Sequence, residues 1–505
     1  MTKSGNLTRE EPNMRKAGIL MPVASLPSPY GIGDFGEDSY RFIDLMKQAG
    51  ITLWQILPLN PLGYGNSPYQ PYSSFAGDEL YISLDLLEKD GLLENTKPYH
   101  KNYTHIDYQG VRAYKEKYLK KAYKNFKLQQ NSSKSSMQRN QEYHEFIKQE
   151  WVYPYAVYLT IKKQNNLICW NEWPKDQQTW IINKEYDISH LEDKIAYEMF
   201  LQYEFFSQWM NLKEYANRNG IEIMGDIPIY VGIDSLDVWS NQECFLLDAD
   251  SKPAFVAGVP PDYFSKTGQR WGNPIYDWDY IKKTGFDFWL KRLSYNSKLF
   301  DIIRIDHFRA FDTYWKIPAS CDTAIEGEWV EAPGYQLFDK VFKEFKDIKI
   351  VVEDLGDLRP EVLSLRDHYG FKGMRIVQFN FNPREEENSN YDHVENLILY
   401  TGTHDNQTMK GWYQSQNPKV KKRVLRDLKS SHCTEGSPAW RFVDFTYKQD
   451  SYMSIVPMQD ILELDDKGRI NTPGTLGTPN WEWKMNSLEP FEKRVEALRK
   501  LVIHE

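Results

Sequence analysis

The segment DIIRIDHF at residues 301–308 reads as an apolar strand that carries a cation and an anion two positions apart. Side chains alternate between the two faces of a strand, so Arg304 and Asp306 share one face. Burying a charged group costs several kcal/mol unless the group is paired. The segment therefore predicts either a structural ion pair or a catalytic carboxylate that an arginine holds in place.

Seven further apolar runs flank this segment, and most are continuous rather than alternating, as is typical of buried parallel strands. Helical patterns separate the runs. Residues 38–50, for example, have apolar side chains at helical spacing, Asp38 or Ser39 as a candidate cap, and a terminating Gly50. We predict an α/β fold, a (β/α)8 TIM barrel. The eight runs are residues 17–23, 51–58, 221–231, 301–308, 348–355, 373–379, 396–405 and 452–462.

The whole chain, residues 1–505, is predicted to be a single catalytic barrel. The long gap between the second and third strands predicts a mostly helical insertion subdomain over residues 60–220, on the catalytic face. Residues 258–278 are rich in Gly and Pro and predict a lid-like loop over the barrel mouth, with a packing loop as the alternative. Too few residues follow the last strand for a C-terminal β-sandwich.

Composition narrows the possible partners and the compartment. The net charge of -9, without a long basic block, argues against nucleic acid. No apolar run is long enough to cross a bilayer, and the first residues lack the apolar core of a secretory signal. The four cysteines contain no CxxC pair, which favours a reducing compartment over disulfides or a zinc site. We therefore predict a cytoplasmic protein with no membrane partner and no metal.

Carboxylates occur at the ends of three predicted strands: Asp306 at the fourth, Glu353 at the fifth and Asp405 at the seventh. In a barrel these ends converge on the face that hosts the active site. One such carboxylate could be structural, but three in one mouth repel each other and favour a functional role. Two carboxylates beside a glycosidic bond can serve as nucleophile and general acid/base, and a neighbouring Arg304 would keep the nucleophile ionised.

Several motifs resemble those of glycoside hydrolase family 77, the 4-α-glucanotransferases, also called amylomaltases or disproportionating enzymes. They include RIDHFRAF (304–311), VVEDLG (351–356), YTGTHDNQT (400–408) and GDIPIYV (225–231), and the similarity extends over nearly the whole chain. The resemblance implies an α-amylase-like barrel without the C-terminal β-sandwich, a retaining double displacement and no obligatory cofactor.

The resemblance also implies roles for individual residues. Asp306 would be the nucleophile, Glu353 the general acid/base, and Asp405 a third carboxylate that grips sugar hydroxyls and distorts the ring. Core packing is the alternative for the two aromatic residues among the implied substrate-binding positions, and a turn or cap role is the alternative for the aspartate. These positions are Arg304, which would hold Asp306, together with His404, Asp226, Tyr64, Trp271 and Asn471.

The implied reaction transfers a segment of an α-1,4-glucan to the 4-hydroxyl of an acceptor glucan or of glucose. The implied partners are maltooligosaccharides and starch- or glycogen-derived α-1,4-glucans. An amylase-like hydrolase with the same carboxylates is the alternative, and a paired acid and nucleophile argue against a protein that only binds glucan. The segment GIGDFG (31–36) fits G-x-G-x-x-G, but adjacent acidic residues would repel a pyrophosphate.

Overall fold

The structure, a computed structural model, describes residues 16–99, 104–129, 133–261, 265–356, 358–381 and 394–503, with the backbone but not the side chain of Tyr64. Twelve strands lie within these ranges. They are β1 Lys16–Leu20, β2 Leu53–Gln55, β3 Glu222–Ile227, β4 Phe255–Val259, β5 Gln269–Pro274, β6 Ile302–Ile305, β7 Thr313–Pro318, β8 Glu328–Glu331, β9 Ile350–Val352, β10 Gly373–Ile376, β11 Leu397–Tyr400 and β12 Met453–Pro457.

Eight of these strands form one parallel sheet in the order β10-β11-β12-β1-β2-β3-β6-β9. The two ends of this order also meet, because the Val352 N–H donates to the Lys372 carbonyl over 3.0 Å, just before β10. The sheet is therefore closed into a barrel. The predicted (β/α)8 TIM barrel is confirmed.

Helices connect the strands and surround the barrel. The helix predicted over residues 38–50 is present, but its predicted cap is wrong: the helix begins after Gly36, which makes no side-chain capping bond, and the Ser39 hydroxyl donates to the Asp34 carbonyl instead. The helices are α1 Glu37–Gln48, α2 Leu84–Lys89, α3 Tyr108–Gln129, α4 Lys134–Phe146, α5 Val152–Gln164, α6 Lys175–Gln178, α7 Trp180–Asn183, α8 Glu192–Arg218, α9 Leu236–Ser240, α10 Trp278–Lys283, α11 Asp287–Leu299, α12 Gly334–Glu344, α13 Pro360–His368, α14 Val377–Asn380, α15 Met409–Ser415, α16 Pro418–Ser430, α17 Pro438–Lys448, α18 Met458–Ile461, α19 Glu489–Glu492 and α20 Val495–Ile503.

The β3–β6 pair determines which charged side chains become neighbours. All four residues of β6 are buried, as expected for a strand covered on both faces. The register pairs Asp226 with Arg304. Gly225 in β3 allows this close packing, since a Cβ there would lie 2.1 Å from the ring of Phe300. The sheet thus places a carboxylate of β3 beside the arginine of β6.

The segment between β2 and β3 contains helices α2 to α8, in keeping with the helical pattern of its sequence. Its helices pack onto residues that follow β3. The rings of Trp180 and Trp239 stack at 6.1 Å with an interplanar angle of 4°. The Lys162 ammonium lies 2.5 Å from a carboxylate oxygen of Asp234. These helices therefore contact the segment after β3 through both an aromatic pair and an ion pair.

A second, antiparallel sheet was not predicted from the sequence. Its strands lie in the order β5-β4-β7-β8, outside the barrel sheet. The segment 258–278, predicted to be a loop, includes the end of β4 and all of β5, so strands flank its connecting turn. Residues 262–264 of that turn lie outside the described residues.

After β12 the described chain continues through helices α18 to α20 to Ile503. Within the described ranges, no helix combines the length and the apolar composition needed to cross a bilayer. The four cysteines, Cys169, Cys244, Cys321 and Cys433, are all free thiols.

Candidate active site

Two of the predicted carboxylates follow adjacent barrel strands directly. The last registered pair between β6 and β9 is Ile305 with Val352, so Asp306 and Glu353 come next, side by side. Backbone bonding continues past the strand ends, because the Glu353 N–H donates to the Ile305 carbonyl over 2.9 Å. Both carboxylates therefore leave the carboxyl-terminal edge of the barrel, where active sites of this fold lie.

Arg304 lies beneath the mouth between two carboxylates. Its Nη1 is 2.7 and 2.6 Å from the two carboxylate oxygens of Asp226 and 3.0 Å from Oδ1 of Asp306. The side chains of Arg304 and Asp226 are 4% and 0% exposed, whereas that of Asp306 is 30% exposed. Both interpretations of the opening segment thus apply, since Arg304 forms a buried structural pair and also contacts the accessible carboxylate.

The ionisation of Asp306 reflects opposing influences. Burial raises the pKa of Asp306 to about 6, and the Arg304 cation opposes that rise. The negative charges of Asp226 and Asp405 contribute to this raised pKa, while His404 opposes it. Asp306 is therefore an accessible carboxylate that stays ionised near neutral pH because a cation contacts it.

Glu353 is held in one orientation by two backbone donors. The His307 N–H donates to Oε2 over 2.9 Å and the Leu355 N–H donates to Oε1 over 2.8 Å. Burial raises the pKa of Glu353 to about 7, and the charge of Asp306 adds to this rise. His307, at φ 52°, turns the chain sharply after Asp306. Of the two carboxyl groups, Glu353 therefore keeps its proton to a higher pH than Asp306 does.

Asp405 lies in the turn after β11, and its partners come from the segment after α18. The Asn471 Nδ2 donates to Oδ1 of Asp405 over 2.6 Å, and the Arg469 Nη2 donates to the Asp405 carbonyl over 2.6 Å. His404 Nε2 lies 3.5 Å from the other carboxylate oxygen. The side chain of Asp405 is 43% exposed, so one edge of this carboxylate remains accessible.

The predicted contact between Asp226 and substrate needs correction. Its side chain has no exposed surface, and its carboxylate bonds to Arg304 and to the hydroxyl of Tyr69. That hydroxyl donates to Oδ2 of Asp226 over 2.7 Å. The structure therefore assigns Asp226 to holding Arg304 in position, and the register of β3 against β6 is the cause.

Two aromatic residues at the site were missed by the sequence analysis. The ring of Tyr69 stacks on that of His404, with centroids 5.2 Å apart and an interplanar angle of 20°. Trp481 contacts both rings at 5.9 and 5.8 Å. Tyr64 was predicted from the motif GYGNSPYQ (63–70), and Tyr69 is the second tyrosine of that motif. This second tyrosine was the signal available in the sequence.

The remaining predicted positions are Trp271 and Tyr64, and the structure describes the side chain of Trp271 only. Trp271 lies in β5, and its ring meets that of His307 edge-on, with centroids 4.8 Å apart. Its carbonyl accepts a bond from Gln70 Nε2 over 3.1 Å, which joins β5 to the segment carrying Tyr69. Tyr64 begins a short turn, and its side chain lies outside the described part of the structure.

The site can perform acid/base and nucleophilic chemistry with its own side chains. Asp306, Glu353 and Asp405 are electrostatically linked, since the charge of Asp405 raises the pKa of Asp306 and the charge of Asp306 raises the pKa of Glu353. In the residues that the structure describes, no three His, Cys, Asp or Glu side chains are grouped so as to hold a metal ion.

Comparison with known proteins gives a consistent result. The sequence profile of glycoside hydrolase family 77, described as 4-alpha-glucanotransferase, matches residues 21–489. A 4-alpha-glucanotransferase of Streptococcus pneumoniae serotype 4 is 42% identical over 479 residues, which cover 93% of this chain and 93% of that protein. A 4-alpha-glucanotransferase of Thermus thermophilus is 40% identical over 483 residues, covering 93% of this chain and 95% of that protein.

Solved structures agree with these sequence matches. An amylomaltase from Streptococcus agalactiae, in complex with acarbose, superposes with a TM-score of 0.90 at 35% identity and covers 97% of this chain and 98% of its own. An amylomaltase from Corynebacterium glutamicum has a TM-score of 0.75 at 17% identity, over 97% of this chain and 75% of its own. The second likeness concerns the fold alone.

Proposed function

Because this chain belongs to glycoside hydrolase family 77, the 4-α-glucanotransferases, we propose that it disproportionates α-1,4-glucans by a retaining double displacement. The family resemblance of its motifs is confirmed, and the chain is an enzyme of this family. The observation that carries the proposed mechanism is the pairing of Asp306 and Glu353 at neighbouring strand ends, with Arg304 in contact with Asp306. The proposed donors are maltooligosaccharides and starch- or glycogen-derived glucans.

In the first step, the Asp306 carboxylate attacks the anomeric carbon of the donor. Glu353 transfers its proton to the glycosidic oxygen, so the bond breaks and the departing chain leaves with a free 4-hydroxyl. Arg304 and the burial of the pair set the two ionisation states that this step requires. The product is a covalent glycosyl–Asp306 intermediate.

In the second step, the ionised Glu353 accepts the proton of an acceptor 4-hydroxyl. That oxygen attacks the anomeric carbon, the bond to Asp306 breaks, and the configuration is retained overall. The acceptor is another glucan or glucose. Asp405, with Asn471 and His404 beside it, is proposed to hold hydroxyls of the bound sugar.

Transfer rather than hydrolysis requires that an acceptor sugar meets the intermediate before water does. The proposed lid is the segment 258–278, whose Trp271 packs against His307, the residue that donates to Glu353. The contact of the Trp271 ring with the residue whose backbone N–H bonds to Glu353 supports a role of this segment in covering the acceptor side. The hydrolase alternative would use the same carboxylates with water as the acceptor, and the family match and the curated relatives support the transferase instead.

The reaction of pure maltotriose distinguishes the two activities. A transferase should convert maltotriose into glucose and a ladder of longer maltooligosaccharides while the number of reducing ends stays constant. Chromatography of the products together with a reducing-sugar assay provides both quantities. Reducing ends that increase in step with the loss of maltotriose would identify a hydrolase instead.

The pH profile follows from the two shifted pKa values. Asp306 acts ionised, so kcat/KM should rise with pH through about 6. Glu353 acts protonated in the first step, so kcat/KM should fall as pH rises through about 7. The result is a narrow bell whose two limbs belong to the coupled pair. Initial rates with maltotriose from pH 4 to pH 9 test this, and a flat profile across neutral pH would contradict it.

The proposed compartment is the cytoplasm. All four cysteines are free, and proteins with several unpaired thiols suit a reducing environment. The net charge of -9 gives no basis for binding nucleic acid.

A further inference from the structure

A groove of about 680 Å³ runs along the flank of the barrel, and it contains none of the residues placed in the active site. It lies between α11, the start of α5, α9 and the end of α12. The volume is typical of ligand sites in proteins, which are apolar clefts with a few polar groups. Its apolar floor is built from Phe75, Trp151, Leu236, Phe288, Tyr295 and Phe345.

We propose that this groove is a second binding site for the α-glucan chain, remote from the catalytic carboxylates. The inference rests on the proposed function, because it takes the polymeric substrate of that reaction as its ligand. Aromatic rings suit the apolar C–H faces of pyranose rings, and the partly exposed rings of the floor are those of Phe75, Trp151 and Phe345.

The charges around the groove favour a neutral ligand. The rim carries both signs: acidic Glu150, Asp287 and Glu344, and basic Lys291 and Lys298. Lys291 is itself neutralised, since its ammonium lies 3.5 Å from Glu150 and 3.1 Å from Asp287. A rim that carries both signs gives neither a polyanion nor a cation a uniformly attractive surface, whereas its donors and acceptors suit hydroxyl groups.

The groove would act by holding a long donor near the active site. A chain bound at two points has a higher effective concentration at each of them. A glucan too short to reach both sites gains nothing from the second one. The groove is therefore expected to lower KM for glycogen or long amylose and to leave the reaction of maltotriose unchanged.

Two variants remove the groove, and each has a matched control. Ser294→Arg fills it from α11, while Ser297→Arg places the same side chain on an exposed position of that helix outside the groove. Trp151→Ala removes part of the floor, while Tyr153→Ala removes an exposed ring, 44% accessible, that does not line it. Thermal melting establishes whether each variant folds. If Trp151→Ala does not fold, the comparison of Ser294→Arg with Ser297→Arg tests the groove by itself.

Binding is measured by retardation in glycogen gels, with acarbose at the lowest concentration that fully inhibits maltotriose conversion, so that it occupies the catalytic site without competing with glycogen for the groove. The wild type, Ser297→Arg and Tyr153→Ala should remain retarded, and Ser294→Arg and Trp151→Ala should migrate as in a gel without glycogen. In kinetics, Ser294→Arg should raise KM for glycogen by about fivefold or more at unchanged maltotriose rates. Ser294→Arg behaving like Ser297→Arg in the gel would overturn the groove site. Absence of a maltotriose ladder from the wild type would instead overturn the proposed function, even with glycogen retardation intact.

Discussion

Asp306→Asn is expected to abolish glucan transfer, with a loss on the order of 10⁴-fold or more in kcat. The amide has nearly the shape of the carboxylate but cannot form the covalent bond to the anomeric carbon. The fold should persist, because Arg304 keeps its buried partner Asp226 when the Asp306 charge is lost. The measurement is the rate of glucose and maltotetraose formation from maltotriose, alongside the melting temperature.

A matched control is Asp279→Asn, which neutralises a carboxylate on α10 that is 93% exposed. It should retain the wild-type rate. If Asp306→Asn kept a tenth of the activity or more at an unchanged melting temperature, Asp306 could not be the nucleophile. Melting of that variant far below the wild type would show that Asp306 serves the fold as well.

The barrel and the carboxylates at its strand ends could be predicted because their signals are local. Each strand appears as a short continuous apolar run, and a carboxylate follows the run at Asp306 and at Glu353. The fold then brings strand ends together whatever lies between them, so the separation along the chain does not matter. A resemblance of the same motifs to a known family adds the division of roles between the two carboxylates.

The antiparallel sheet could not be predicted, since its pairing is long-range and its strands are only partly buried. Strand β5, QRWGNP, mixes Arg, Gly and Pro with one aromatic ring and gives no alternating pattern. Its partner β4 pairs on the other side with β7, which lies beyond β6 in the chain. The sequence of residues 258–278 shows only that the segment is rich in Gly and Pro. The segment was therefore predicted to be a loop, although it contains the end of β4 and all of β5.

Side-chain partners across the site depend on register, which sequence alone does not provide. Asp226 bonds to Tyr69, 157 positions away, and to Arg304, 78 positions away. A shift of one residue in β3 would turn Asp226 to the other face of the sheet. Sequence reasoning predicted contact with sugar for Asp226, with a turn or cap role as the alternative, and did not predict its contact with Arg304.

Glu353→Ala is expected to slow transfer from maltotriose by roughly 10²- to 10⁴-fold, because the leaving oxygen then departs without a proton. With α-maltosyl fluoride as the donor, the substitution should slow the first step far less, since fluoride leaves without needing a proton. The second step still lacks its base, so the glycosyl–Asp306 intermediate should accumulate and appear by mass spectrometry as a covalent maltosyl adduct. Glu353→Gln, which keeps the shape of the side chain, should show the same contrast between the two donors.

The anomeric configuration of trapped products separates the two roles in one experiment. With α-maltosyl fluoride and azide, Glu353→Ala should yield the α-azide, because azide attacks the β-linked intermediate on Asp306 from the opposite face. Asp306→Gly should yield the β-azide, because azide enters the space left by the nucleophile and displaces fluoride in a single inversion. Proton magnetic resonance distinguishes the anomers by their coupling constants. If both variants gave the same anomer, the assignment of Asp306 as nucleophile and Glu353 as general acid/base would be wrong, however closely the two strand ends are paired.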